Sequence, residues 1–176
     1  MIDHGYVVQM ARYNAWMNYK LFEAASQLTE EALMLDRQAF FGSLFGTLNH
    51  IAVADTVWLK RFADALPHST LASAQTLPMP QALDNWLFHD FPNLRRYRQS
   101  LDQIIQQWAA ELTDTDLSHS LHYTNMQGIA AHKPLNGVLM HFFNHQTHHR
   151  GQATTLLAQA GQDVGVTDLI TLIPNL

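Results

Sequence analysis

Histidine is the side chain whose number and placement call for a chemical explanation in this 176-residue chain. Eleven histidines exceed the ten Lys and Arg residues combined, and His141, His145, His148 and His149 fall within a single short stretch. Neutral imidazole is a common metal ligand. There is no cysteine, so any ion held within this chain must be bound by nitrogen or oxygen, and disulfides and cysteine nucleophiles are excluded. His145 and His149 are four residues apart, which on a helix places one a turn above the other on the same face. Two imidazoles so spaced can reach one divalent ion at about 2.0–2.1 Å without bending the helix. A third ligand should come from a neighbouring helix. His50 is the leading candidate, flanked by Gly46, Thr47, Val53 and Ala54, which leave room beside it.

The spacing alone leaves the ligand set open. His141/His145 is also an i, i+4 pair and His145/His148 an i, i+3 pair. A lone histidine on an apolar face is more often a hydrogen-bonded core residue than a ligand, and that reading applies to His50 taken by itself. His4, His68, His89, His119, His122 and His132 sit near predicted helix ends, in loops or in a predicted hairpin, where water is expected to reach them. Asp55 and Asn14 are candidates to take up the outer N–H of a metal-bound histidine, with the structural readings (a hydrogen-bond acceptor and a polar packing residue) the stronger ones. Arg150 is expected in a surface salt bridge rather than steering an anionic substrate. Tyr13, Trp16, Trp58 and Trp108 are expected to pack the core. No convincing general acid or base stands out.

The elements that would position these residues are helical. Val7, Met10, Asn14, Met17 and Leu21 make the stripe of a first helix over Tyr6 to Ser26. A loop or turn follows around Leu28 to Glu31. Ser43 caps a second helix carrying Leu44, Leu48, Ile51, Trp58, Leu59 and Phe62, which ends near Asp64. Pro67, the His68 to Thr76 stretch and Pro78-Met79-Pro80 mark a long connection, with a short turn between Gln81 and His89. Asp90 caps a third helix with Pro92 in its first turn, running through Leu94, Leu101, Ile105 and Trp108 to Leu112. Asp114, Asp116 and Ser118 read as a loop. Leu121 to Tyr123 and Gly128 to Ala130 flank Asn125-Met126-Gln127 as a small hairpin. A fourth helix runs from Pro134 to Ala160, stopped by Gly161. The apolar end, Leu169 to Leu176, is expected to pack as a tail or meet another subunit. Four long amphipathic helices predict an all-α four-helix bundle as one domain over 1–176.

Totals agree with a globular domain. Apolar residues make up 47% and charged residues 14%, the balance of a packed protein rather than a disordered one. The formal charge of −5 argues against a general nucleic-acid binder. Arg95, Arg96 and Arg98 read as a solvated helix face. The start, Met1 to Gly5, has neither a basic nor an apolar signal region, and no apolar run approaches the ~20 residues of a membrane span. Cytoplasm is the expected location, with no membrane partner.

Four groups of residues carry a family resemblance. Asn144 to Gln152, reading NHQTHHRGQ, resembles the signature of the DinB family of bacterial proteins. Leu48-Asn49-His50-Ile51, with Ala54-Asp55 and Trp58-Leu59, resembles that family's first ligand helix. Tyr13 to Asn18 resembles its opening helix, and Leu121 to Gly128 its mid-chain excursion, while the interval from Pro67 to His89 is less family-like and is expected to shape the pocket entrance. The resemblance implies an up-down-down-up bundle, often a homodimer, with a three-histidine metal centre. The ligands it implies are His50, His145 and His149, with His148 in the motif but not a ligand; His141 and His148 join Asn14 and Asp55 as candidates to lie beside the metal or line its pocket.

Such a centre, zinc or nickel by expectation, can acidify a bound water or an incoming thiol. DinB-like proteins include enzymes that use low-molecular-weight thiols, so the resemblance favours a thiol S-transferase acting on a small molecule. A non-catalytic, metal-stabilised stress-response protein and a metal-dependent hydrolase are the competing expectations.

Overall fold

The computed structural model describes residues 2–175, so the expected apolar tail is described only to Asn175, with Leu176 outside the described residues. The chain folds into four long helices with short elements between them. Helix α1 spans His4–Ala25, capped by the Asp3 carboxylate, which accepts from the Tyr6 N–H at 2.8 Å. Helix α2 is a single turn, Glu30–Met34, and α3 spans Leu44–Ala65 with the Ser43 hydroxyl accepting from the Gly46 N–H at 3.0 Å. Helix α4 is the turn Ala72–Gln75, and α5 spans Phe91–Glu111 behind the Asp90 cap. Helix α6, Asp114–Leu117, precedes strands β1 (Ser120–Thr124) and β2 (Ala130–Pro134), and α7 spans Leu135–Gln159. Gly161 stops α7 in the left-handed conformation at φ 77°, and the Gln162 N–H returns to the Leu157 carbonyl at 2.9 Å.

Contacts between helices fix the course of the chain. The Phe22 and Phe91 rings stack, while the His4 ring meets the Ala109 carbonyl, so α1 and α5 run antiparallel. Thr56 bonds Tyr97 and Phe62 stacks on Trp108, which makes α3 and α5 parallel. His50 faces His149 and Phe62 faces Phe142, which makes α3 and α7 antiparallel. The result is the up-down-down-up bundle, with α3 and α7 as neighbours. The core is apolar from Val7 and Leu21 on α1 to Phe142 and Leu157 on α7. β1 and β2 pair antiparallel, Ser120 opposite Pro134 and Thr124 opposite Ala130. No helix among the described residues is long and apolar enough to cross a membrane.

Three stretches read as loops hold short helices. Thr29 caps α2 through the Ala32 N–H, and Thr113 with Asp116 forms a reciprocal capping box on α6. The connection from His68 to Thr76 contains a 3-10 turn, Ser69–Leu71, ahead of α4. The apolar end is largely exposed, with Ile170 69% and Ile173 48% accessible.

A second correction concerns the bundle centre. Arg98 is not on a solvated face; it is 2% exposed, paired with Asp55 and, at 3.0 Å, with Asp102. Arg150 is equally buried and donates to Asn14 rather than forming a surface salt bridge. Asn18 also donates to Asp102, at 2.8 Å, and Gln146 donates to Asp55 at 2.6 Å. This network joins α1, α3, α5 and α7 with two guanidiniums against two carboxylates. Burial pushes both carboxyls above their ordinary range, Asp102 up to about 6, against the pull of Arg98. Desolvation at that level offsets much of the network's Coulombic gain.

Candidate metal centre

One face of α3 and one of α7 meet at three imidazoles. His145 and His149 stand a turn apart on α7, and His50 reaches them from α3. The His50 and His149 Nε2 atoms lie 3.2 Å apart, and those of His149 and His145 3.1 Å apart. One ligand nitrogen from each of the three falls within 4.8 Å of the others. His50 and His149 are buried, and His145 is half-buried.

The outer nitrogens determine what the inner ones can be. His50 Nδ1 lies 2.8 Å from the Leu83 carbonyl oxygen, which only accepts, so Nδ1 carries the proton. His149 Nδ1 lies 2.8 Å from Gln152 Oε1, whose own amide nitrogen faces His148 at 3.3 Å. Both rings are therefore held in the tautomer that leaves Nε2 as a bare lone pair. Protonation does not relieve the arrangement. Burial pulls His50 down to about 4, helped by His149. Burial also pulls His145 down to about 3, with His149 and His50 adding to it, and lowers His149. Lone pairs facing one another at such distances repel unless a cation lies between them. A tetrahedral ion at about 2.0–2.1 Å from two nitrogens holds them about 3.3 Å apart, close to the observed spacings. The residues fit a divalent metal.

The approach to the cluster is shaped by two segments: the one around Phe41, to which sequence reasoning assigned no role, and the Pro67 to His89 interval, expected to shape the pocket entrance. Phe41 lies over the His50 ring, stacked at 3.9 Å between centroids, and meets the His149 ring edge-on at 5.6 Å. Gly46 permits this, because a Cβ there would collide with the Phe41 carbonyl. The excursion between α4 and α5 supplies the Leu83 carbonyl. Asn49, beside His50 on α3, holds that excursion by accepting from the Leu87 N–H at 3.0 Å.

The remaining sequence candidates sort clearly. Asp55 and Asn14 belong to the buried network, not to the histidines, and Gln146, next to His145 in the chain, ties α7 to that network through Asp55. His141 is exposed and borders a cleft beside Trp58, their rings 5.6 Å apart. His148 is exposed; its ring meets that of His149 edge-on at 4.8 Å between centroids, and its Nε2 faces the Gln152 amide at 3.3 Å. Trp108 is a core residue, whereas Trp58 lines the cleft instead of being wholly buried. Tyr13 and Trp16 are half-buried, Tyr13 donating to the Thr167 carbonyl. Of the histidines placed near ends and loops, His89, His119, His122 and His132 are exposed. His4 and His68 are half-buried, and His68 Nδ1 accepts from the Trp108 indole at 3.2 Å.

The protein is thus a helix bundle with three histidines converging between two of its helices. The DinB family model matches residues 1–174, and the chain belongs to the DinB family. It is similar to Protein DinB of Bacillus subtilis (strain 168), 28% identical over 166 residues, covering 93% of this chain and 91% of that protein. It is also 34% identical over 68 residues to the uncharacterized protein YrdA of the same strain, covering 39% of this chain and 38% of that one.

Proposed function

We propose that this protein binds one divalent metal ion through His50, His145 and His149 and uses it as an enzyme of the thiol S-transferase type on a small molecule. The observation that carries the reading is the convergence of three Nε2 lone pairs with no fourth protein ligand. Among the described residues no Asp, Glu or further His joins the cluster. A structural zinc site is normally closed by four protein ligands, and a site with three keeps a position for water or substrate. An ion so held retains its full positive charge and lowers the pKa of a thiol that reaches it.

The chain's own residues set up the rest. The Leu83 carbonyl and Gln152 orient His50 and His149, a role known to raise ligand basicity. Phe41 and the excursion carrying Leu83 shield the His50 side from water. His145 borders the cleft lined by Trp58, Tyr123 and His141, which gives a small molecule its route in. Zinc and nickel both suit an all-imidazole site, and raw affinity does not choose between them.

The test is to load metal-free protein with cobalt(II) and titrate it with low-molecular-weight thiols. A thiolate-to-cobalt band that saturates with thiol supports the reading. The same thiols are then screened for transfer to electrophiles with the zinc-loaded protein. A cobalt spectrum that no thiol alters would overturn the transferase assignment and favour a metal that only stabilises the bundle.

A further inference from the structure

The cleft that reaches His145 also contains a cation without a counter-charge. Its volume is about 420 Å³, and Arg61 lines it together with His145. His50, Ala54, Val57 and Arg61 follow one another at helical spacing along a single face of α3. At 1.5 Å per residue, Arg61 sits about 16 Å along the axis from His50.

The Arg61 guanidinium is held rigidly. It packs over the Trp58 ring at 4.7 Å and the Tyr123 ring at 4.8 Å, and one Nη donates to the Thr124 carbonyl at 3.1 Å. Its Nε is buried and has no hydrogen-bond partner. Arg61 takes part in none of the ion pairs among the described residues. The buried arginines, Arg98 and Arg150, are bound within the network at the bundle centre. A positioned guanidinium with donors to spare suits a planar carboxylate.

We propose that the cleft takes a small molecule bearing a carboxylate at the end remote from the histidines, and that Arg61 selects it. This rests on the reading of the three histidines as a metal site opening into the same cleft. The separation requires a ligand several bonds long, with its reactive end at the metal and its carboxylate at Arg61. Acetate-sized acids are too short to reach both. Trp58 and Tyr123, which flank the guanidinium, supply apolar walls for the chain between.

Calorimetry on the full chain tests it with three probe sets: ω-mercaptoalkanoates from butanoate to decanoate, the matching ω-mercaptoalcohols, and the alkanoates lacking sulfur. Each is titrated into zinc-loaded and metal-free protein, for wild type, Arg61→Gln and Arg61→Lys, with melting temperature and zinc content checked for each. The expected result is a preference for acid over alcohol of about tenfold or more at the best-fitting length, the usual effect of a charge-assisted hydrogen bond. Arg61→Gln abolishes that preference and Arg61→Lys retains part of it, with zinc content unchanged in both.

Equal binding of acid and alcohol by wild type overturns the proposal without reference to any variant, as does a preference that survives in Arg61→Gln. The metal reading is judged separately, by whether zinc strengthens binding of the mercaptoalkanoates over the sulfur-free acids. An acid preference that needs Arg61 but gains nothing from zinc and sulfur supports the Arg61 site and sinks the thiol reading. Zinc-dependent thiol binding indifferent to the carboxylate does the reverse.

Discussion

Replacing Asp55 by Asn should destabilise the bundle severely, and removing Arg98 as well should restore part of the loss. The buried network sets Arg98 and Arg150 against Asp55 and Asp102, each 8% exposed or less. Asp55→Asn keeps the shape but leaves two guanidiniums on one carboxylate, and its single amide oxygen can no longer accept from both Arg98 and Gln146 as the carboxylate does. Breaking a buried ion pair from one side costs about 3–5 kcal/mol. With a urea m-value of about 2 kcal/mol/M, the midpoint should fall by about 1.5–2.5 M. Arg98→Met alone should cost a similar amount, since it leaves two carboxylates on Arg150. The double variant has one charge of each sign again. Its loss should be at least about 1 kcal/mol smaller than that of Asp55→Asn alone, far from the sum of the two. The titrations belong on chelated protein, because bound metal adds its own stabilisation. Additive losses would refute the view that charge balance governs this network.

Other perturbations probe the site and its supports. Gln152→Ala should weaken metal binding by about 10–100-fold with little effect on the urea midpoint, because it frees the His149 Nδ1 proton while the packing stays; chelator competition measures it. Gly46→Ala should push the Phe41 backbone off α3, costing about 1–3 kcal/mol in urea unfolding and loosening the cover over His50. Glu111, which accepts from the Thr70 hydroxyl and N–H and from Ser69, is held by these bonds down to about 2. An acid with its folded value depressed contributes stability above its ordinary value near 4.5 that is lost as pH falls toward 2. Midpoints of wild type and Glu111→Gln should therefore differ at pH 6 and converge by about pH 2. A constant gap across that range would show that the hydrogen bonds to the carboxylate do not matter.

The long helices were legible because their apolar stripes repeat at helical spacing and their caps are local: Ser43, Asp90 and Gly161 all act within a turn of their own positions. The i, i+4 geometry of His145 and His149 was legible for the same reason. Spacing could not choose among His141, His145, His148 and His149, since the choice depends on which face of α7 meets α3. The short helices α2 and α6 were read as loops because each lasts about one turn, too short to show a period, although Thr29 and Thr113 were capping signals within reach.

Arg98 was misplaced because its neighbours Arg95 and Arg96 suggested a charged face, whereas its partners Asp55 and Asp102 lie on α3 and a turn further along α5. Asp102 is four residues from Arg98, a local pairing that offered a clue. Phe41 had no sequence signal, and the departure of the Pro67 to His89 interval from the family pattern pointed to the pocket entrance without singling out Leu83. Their roles arise from a close approach at Gly46 and from a backbone carbonyl in a long connection. Arg61 was passed over because a lone cation on a helix ordinarily faces water.

Metal content by mass spectrometry, on untagged protein prepared without a nickel column, tests the central claim most directly. Wild type should carry close to one divalent ion per chain, and His50→Ala and His149→Ala should lose it while His148→Ala keeps it. Metal-free wild type that folds and cannot be reloaded, or full occupancy in both His50→Ala and His149→Ala, would contradict the three-histidine centre.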